Sequence, residues 1–132
     1  MIKKTFFGIL AMLALVCAGS WYYIHQNQAQ AVKAEARKTY IQSSSPTIFF
    51  HGWGSSSRAE RHIANAAKKA GVTQTIIEAK VAEDGTVTLK GTIPKDAVNP
   101  IVLVNFDNNR GASTQDQGNY AYAVVKALQD TY

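Results

Sequence analysis

The chain opens with a sharply bounded apolar block. Thr5 to Ile24 is twenty residues without a charge, rich in Phe, Leu, Ala and Val, behind the basic head Met1-Ile2-Lys3-Lys4. A helix needs about 20 such residues to cross a bilayer. The block reads as an uncleaved signal anchor or as a secretory signal with an n-region and an h-region. Val16-Cys17-Ala18 and Ala29-Gln30-Ala31 would serve as small-residue cleavage sites. Trp21-Tyr22-Tyr23 instead suits an uncut anchor with its rings at headgroup level, the favoured reading, with Lys3 and Lys4 kept in the cytoplasm. Residues 25–45 then turn polar and rich in Gln, Ala and Lys, ending in Ser43-Ser44-Ser45. They read as a spacer, with a helical stretch over Ala29–Tyr40.

From Pro46 the periodicity is that of a folded domain. Thr47–Phe50 is a short continuous apolar run, as expected of a strand buried on both faces. Ser57–Ala70 places Ala59, Ile63, Ala66, Ala67 and Ala70 at helical spacing opposite Arg58, Glu60, Arg61, Lys68 and Lys69. A serine of Ser55–Ser57 is expected to cap that helix and Gly71 to stop it. Ile77, Ala79 and Val81 alternate with Glu78 and Lys80, Glu83-Asp84-Gly85 is a turn, and Thr86–Lys90 alternates again, which predicts a half-exposed hairpin. Ile101–Val104 is a second buried run, Asp107–Gly111 a loop, and Thr114–Thr131 a helix with Ala121, Val124, Val125 and Leu128 on one face. Strand, helix, strand argues for parallel pairing by a right-handed crossover, with the hairpin inserted in it. An open edge is expected at Pro100–Phe106, inviting a further strand.

Charge and cysteine content exclude several classes. From His25 onward there are twelve basic and nine acidic residues, so that part carries about +3 of the formal +5. The basic residues are scattered, without the aromatic-interleaved stripe of a nucleic-acid binder. Cys17 is the only cysteine and lies in the apolar block, so no internal disulfide and no cysteine zinc site can form. Val16 before it is not the small residue of a lipoprotein signal. His25, His51 and His62 lack metal-ligand spacing. No metal and no cofactor is expected.

The chemistry concentrates in His51-Gly52-Trp53-Gly54 and the three serines after it. A strand that breaks into a Gly-rich turn and reopens as a helix aims backbone N–H groups at one point, suited to a phosphate, a carboxylate or the oxyanion of acyl transfer. Neither Gly-x-x-x-x-Gly-Lys nor Gly-x-Gly-x-x-Gly is present, which argues against a nucleotide site. Ser113 sits between a strand and a helix, but Gln115 stands where a nucleophile elbow needs its second glycine, so Ser113 reads as a helix cap. Ser55, Ser56 and Ser57 read as loop and cap. Trp53 reads equally as a substrate-lining aromatic or as a lid over the core edge. Asp107 reads as a loop cap, with Arg110 pairing either Asp107 or Asp116.

Pro46-Thr47-Ile48-Phe49-Phe50-His51-Gly52-Trp53-Gly54 resembles the strand and oxyanion loop of α/β-hydrolases. With the Glu83-Asp84-Gly85 hairpin, Lys95–Ile101 and the Asn105-Phe106-x-x-Asn109-Arg110 strand end, the chain resembles the membrane-anchored cell-surface α/β-hydrolases of Gram-positive bacteria over roughly Pro46–Tyr132. The resemblance implies that the Trp53 N–H is an oxyanion donor, with His51, Gly52 and Gly54 supporting the loop and His51 structural rather than a base. It implies a second donor next to a nucleophilic Ser on a Gly-x-Ser-x-Gly elbow, followed by an acid and a His. None of these follows here, so the catalytic triad is expected to be absent from this chain.

The expectation is therefore an α/β protein: a partial α/β-hydrolase fold of parallel strands, crossover helices and an inserted β-hairpin behind an N-terminal membrane helix. The units are an anchor or signal over 1–24, a spacer over 25–45 and the N-terminal half of a hydrolase domain over 46–132. The expected function is part of an extracytoplasmic serine hydrolase for a small acyl or ester substrate, inactive alone, membrane-bound through its first helix or secreted, and without nucleic acid as partner. The alternative is a non-enzymatic cell-surface binding or assembly module.

Overall fold

The computed structural model describes the backbone of residues 2–132 and the side chains of residues 12–35 and 40–132. The elements are α1 (Ile2–Thr39), β1 (Thr47–Phe49), α2 (Arg58–Lys69), β2 (Ile76–Val81), β3 (Val87–Lys90), β4 (Ile101–Phe106) and α3 (Thr114–Thr131).

The four strands form one sheet in the order β1-β4-β2-β3. β4 pairs in parallel with β1, Ile48 opposite Val102, and with β2, Ile77 opposite Val102. β3 pairs antiparallel with β2. β4 and β2 are thus the inner strands, and the apolar run of β4 has a simple cause: Ile101, Val102, Leu103 and Val104 are all buried because a helix covers each face. Ala64 of α2 packs on Ile101 and Leu103, with Phe49, Ala67 and Ile76 at the rim. On the other face Tyr120, Val124 and Leu128 of α3 pack on Val102 and Val104 and on Ile77, Ala79 and Val81. β2 alternates buried and half-buried because its α3-facing side is fully covered and its other side only partly, at the margin of α2.

Several expectations need correction. The edges of the sheet are β1 and β3, since β4 has neighbours on both sides. β2 is not only half of a hairpin but the second parallel neighbour of β4. α2 is rotated from its expected face: Ala64 is fully buried while Ile63 is 49% exposed. Alanine lets the helix lie close on β4, and this close approach outweighs burial of the larger Ile63. On α3, Tyr120 is buried and Val125 is 39% exposed. Ser57 is the N-cap residue of α2 but makes no side-chain capping bond; its hydroxyl donates to Glu78 Oε2 at 2.8 Å.

The N-terminal part also differs from expectation. α1 runs unbroken from the apolar block through residue 39, so the helical stretch expected over Ala29–Tyr40 is present as the end of one longer helix. Residues 1–11 of the expected anchor and residues 36–39 lie outside the described side chains. Among the described residues, no helix is long and apolar enough to cross a membrane. The end of the spacer is not slack. Asn99, in the left-handed region at φ 49, accepts from Ser43 N–H at 2.9 Å, donates its own N–H to Ser43 O at 2.7 Å, and reaches Ile41 O and Val72 O through Nδ2. Asn tolerates that backbone conformation better than other side-chain-bearing residues. Gly71, at φ 77 after the last turn of α2, lies so close to α1 that a Cβ would sit 3.1 Å from Lys33 Cα.

Candidate functional site

In a parallel sheet the connections after the strands gather at their carboxyl ends, where open α/β sheets place ligands. Here the β1–α2 loop meets the β4–α3 connection. Phe50 leaves β1 and stacks on Phe106 at the end of β4, ring centroids 6.1 Å apart. His51 then turns inward and is 7% exposed.

The ring of His51 is committed at both nitrogens. Phe106 N–H donates to Nε2 at 3.0 Å. A backbone N–H can only donate, so Nε2 is the acceptor and the ring proton resides on Nδ1, from which it is donated to Gly52 O at 2.9 Å. The imidazole edge also meets the Phe106 ring, centroids 5.1 Å apart. A ring spent in this way braces the turn and has no lone pair left to receive a proton from a nucleophile. Gly52 O also accepts from Ser55 N–H at 3.1 Å, closing the turn Gly52–Ser55.

The rest of the loop is gripped from β4 and the residues after it. Gly54 N–H donates to Asn109 O at 2.8 Å. Asn109 Nδ2 donates to Ser55 O at 2.7 Å, and Asn105 Oδ1 accepts from Ser57 N–H at 3.2 Å. Gly54 has φ +69, and a Cβ there would come within 3.3 Å of Arg110 Nε; only glycine combines that backbone with that neighbour. Two N–H groups of the turn, those of Gly52 and Trp53, form no hydrogen bond among the described residues. Both residues line a hollow of about 60 Å³, together with His51, Phe106, Asn108 and Tyr120, among others. Ligand pockets usually measure about 300–1,000 Å³, so the hollow suits one polar atom and its attachment rather than a whole substrate. Larger hollows lie elsewhere, about 630 Å³ beside β1 and about 700 Å³ between α1 and α2. Neither adjoins this loop.

Trp53 itself projects outward, 73% exposed. Its Nε1 donates to Arg110 O at 3.1 Å, and the Arg110 guanidinium lies 5.5 Å from its ring centroid, a cation–π geometry. Arg110 therefore pairs with neither expected carboxylate. Asp107 pairs with Lys80 at 3.0 Å, which corrects its reading as a loop cap. Asp116 serves α3, where Ser113 and Asp116 form a reciprocal capping box. The Ser113 hydroxyl donates to Asp116 Oδ2 at 2.7 Å, which pulls the Asp116 carboxyl below the usual carboxylate range.

The structure thus brings His51, Gly52, Trp53 and Gly54 to one place, and places Ser57 and Ser113 on other partners. His25 and His62 are exposed on α1 and α2. Among the described residues no group of acidic, His or Cys side chains could hold a metal ion. Sequence reasoning missed the roles of Asn105 and Asn109. The only hint was their spacing at the end of an apolar strand, because their partners lie 48 and 54 residues away.

Comparison with known proteins fits this geometry. Residues 34–132 match the family described as alpha/beta hydrolase of unknown function (DUF915). No curated protein matches the chain. The crystal structure of the product of gene lin2722 from Listeria innocua is similar at TM-score 0.60 and 23% identity, over 66% of this chain and 34% of that one. A protein of Lactobacillus plantarum WCFS1, provisionally named a cell surface hydrolase, is similar at TM-score 0.56 and 26% identity, over 67% of this chain and 36% of that one. The chain therefore spans about a third of the length of these solved structures.

Proposed function

We propose, from the premise that the chain belongs to the alpha/beta hydrolases of unknown function (DUF915), that it supplies the oxygen-binding loop of an extracytoplasmic serine hydrolase acting on an ester or similar acyl substrate. The observation that carries this reading is the pair of unspent N–H groups at Gly52 and Trp53, residues that line a hollow at the carboxyl ends of parallel strands. Such donors stabilise the tetrahedral oxyanion, by about 3 kcal/mol for one donor in known cases. His51, Gly52 and Gly54 shape the loop, the Trp53 N–H is the expected donor, and the unspent Gly52 N–H stands beside it as a second. Binding needs nothing further from these residues. Attack on the carbonyl needs a nucleophile and a base, and in this reading both come from outside the described residues, because His51, Ser57 and Ser113 are engaged elsewhere.

Location at the cell surface, by an anchor or after release, is part of the proposal. Its support is the charge-free run Thr5–Ile24 behind Lys3 and Lys4, and the name of the Lactobacillus plantarum neighbour.

Turnover of p-nitrophenyl butyrate by the 132-residue chain tests the division of labour. The expected rate equals that of buffer. Hydrolysis by this chain, abolished by Trp53→Pro, would contradict it by placing the nucleophile within these residues.

A second reading, a binding or assembly module, draws on the unpaired edge of β1 and the adjoining groove lined by Ile48, Ile93, Val125 and Leu128. Light scattering separates the two: a stable assembly of this chain alone favours the module.

A further inference from the structure

We propose that Asn105 and Asn109 are positioning residues for the Gly52–Ser57 loop, one working as an acceptor and the other as a donor. Asn105 Oδ1 receives Ser57 N–H at 3.2 Å, and Asn109 Nδ2 gives its proton to Ser55 O at 2.7 Å. The amide orientations are forced, because a backbone N–H only donates and a backbone C=O only accepts. The Asn109 main chain adds a third tie, its carbonyl taking Gly54 N–H at 2.8 Å.

The three ties all run from one segment, the end of β4 and the turn after it, to one side of the loop. They occupy the backbone groups of Gly54, Ser55 and Ser57 and leave unspent the N–H groups of Gly52 and Trp53, two residues that line the hollow. Gly52 meets no atom within 4 Å of a would-be Cβ. Sterics therefore do not hold it, and without the ties a turn with two glycines has many conformations open to it. Donors contribute most when they are fixed before the charge arrives. β4 is an inner strand of the sheet, so the two asparagines transmit the rigidity of the core to the loop. The inference rests on the oxygen-binding reading for its catalytic meaning, but its test uses no ligand and stands apart from that reading.

Amide hydrogen exchange of the 132-residue chain provides the test. Asn109→Asp keeps the side-chain size but removes the donor. It is expected to speed exchange at Gly54 about tenfold, the effect of one lost hydrogen bond. Asn105→Asp keeps an acceptor and is expected to leave Ser57 within about twofold of wild type, whereas Asn105→Leu, similar in size without an acceptor, speeds it about tenfold. Protection at Ala79 and Leu103 stays at the wild-type level in all three. A residue needed only to fill space would respond alike to both Asp variants. The proposal is overturned by wild-type exchange at Gly54 in Asn109→Asp, by Asn105→Asp matching Asn105→Leu, or by loss of core protection in Asn105→Asp.

Discussion

Phe106 N–H donates to His51 Nε2 at 3.0 Å, across 55 residues of sequence. That bond joins the end of β4 to the start of the loop and fixes the ring proton on Nδ1. It makes the histidine of His-Gly-x-Gly a strut between two connections rather than a reactive base.

Removing the strut leaves Phe106 N–H and one lone pair of Gly52 O without their partners. His51→Ala is expected to destabilise the chain by about 1–3 kcal/mol, chiefly for the Phe106 N–H left unpaired, since Gly52 O keeps its bond from Ser55 N–H. Urea unfolding measures the change. A loss below a few tenths of a kcal/mol would mean that water replaces the imidazole without cost.

Gly54→Ala probes the backbone strain directly. At φ +69 an alanine costs about 1–2 kcal/mol, and its Cβ presses on Arg110 Nε. The expected result is a lower urea midpoint and a shift of the Trp53 indole N–H resonance, because Arg110 must move off the ring.

The core prediction contrasts two neighbouring elements. Leu103→Ala, at a fully buried position on β4, is expected to cost about 2–5 kcal/mol. Ile63→Ala, on the exposed side of α2, is expected to stay within about 0.5 kcal/mol. Equal costs would mean that α2 sits on the sheet through the face that periodicity suggested.

Acid should weaken the start of α3. The Asp116 carboxyl is held below its ordinary value of 3.8 by the Ser113 hydroxyl and then the Ser113 N–H. A depressed folded-state value means that its stabilising contribution is fully present above the ordinary carboxylate value and is lost as pH falls through the lowered one. Asp116→Asn should therefore be less stable than wild type at pH 7, with the gap closing in strongly acidic solution. Urea melts of both proteins at the two extremes check it.

Much of the architecture was legible along the chain. Ile101–Val104 has no polar member because both faces of β4 are covered, and Asp84-Gly85 turns the hairpin as its residue types require, with Gly85 at φ 85. The rotation of α2 was not legible: hydrophobicity singled out Ile63, whereas close packing favoured the smaller Ala64. The second parallel neighbour of β4 was hidden because β2 is fully covered on one side only and so alternates like a hairpin strand. At the site, the Gly-rich loop could be read locally. Its supports could not, since Asn105, Phe106 and Asn109 act across about fifty residues, and an asparagine in a loop has many local uses.

The central claim is that the Gly52 and Trp53 N–H groups await a negatively charged oxygen. Titration of the ¹⁵N-labelled chain with butyrate, whose carboxylate stands in for the acyl oxyanion, tests it most directly. Saturable downfield shifts of those two amides are expected, abolished for position 53 by Trp53→Pro, with Gly54 and Ser57 barely moved. Shifts spread evenly over the basic surface, or none at Gly52 and Trp53, would contradict it.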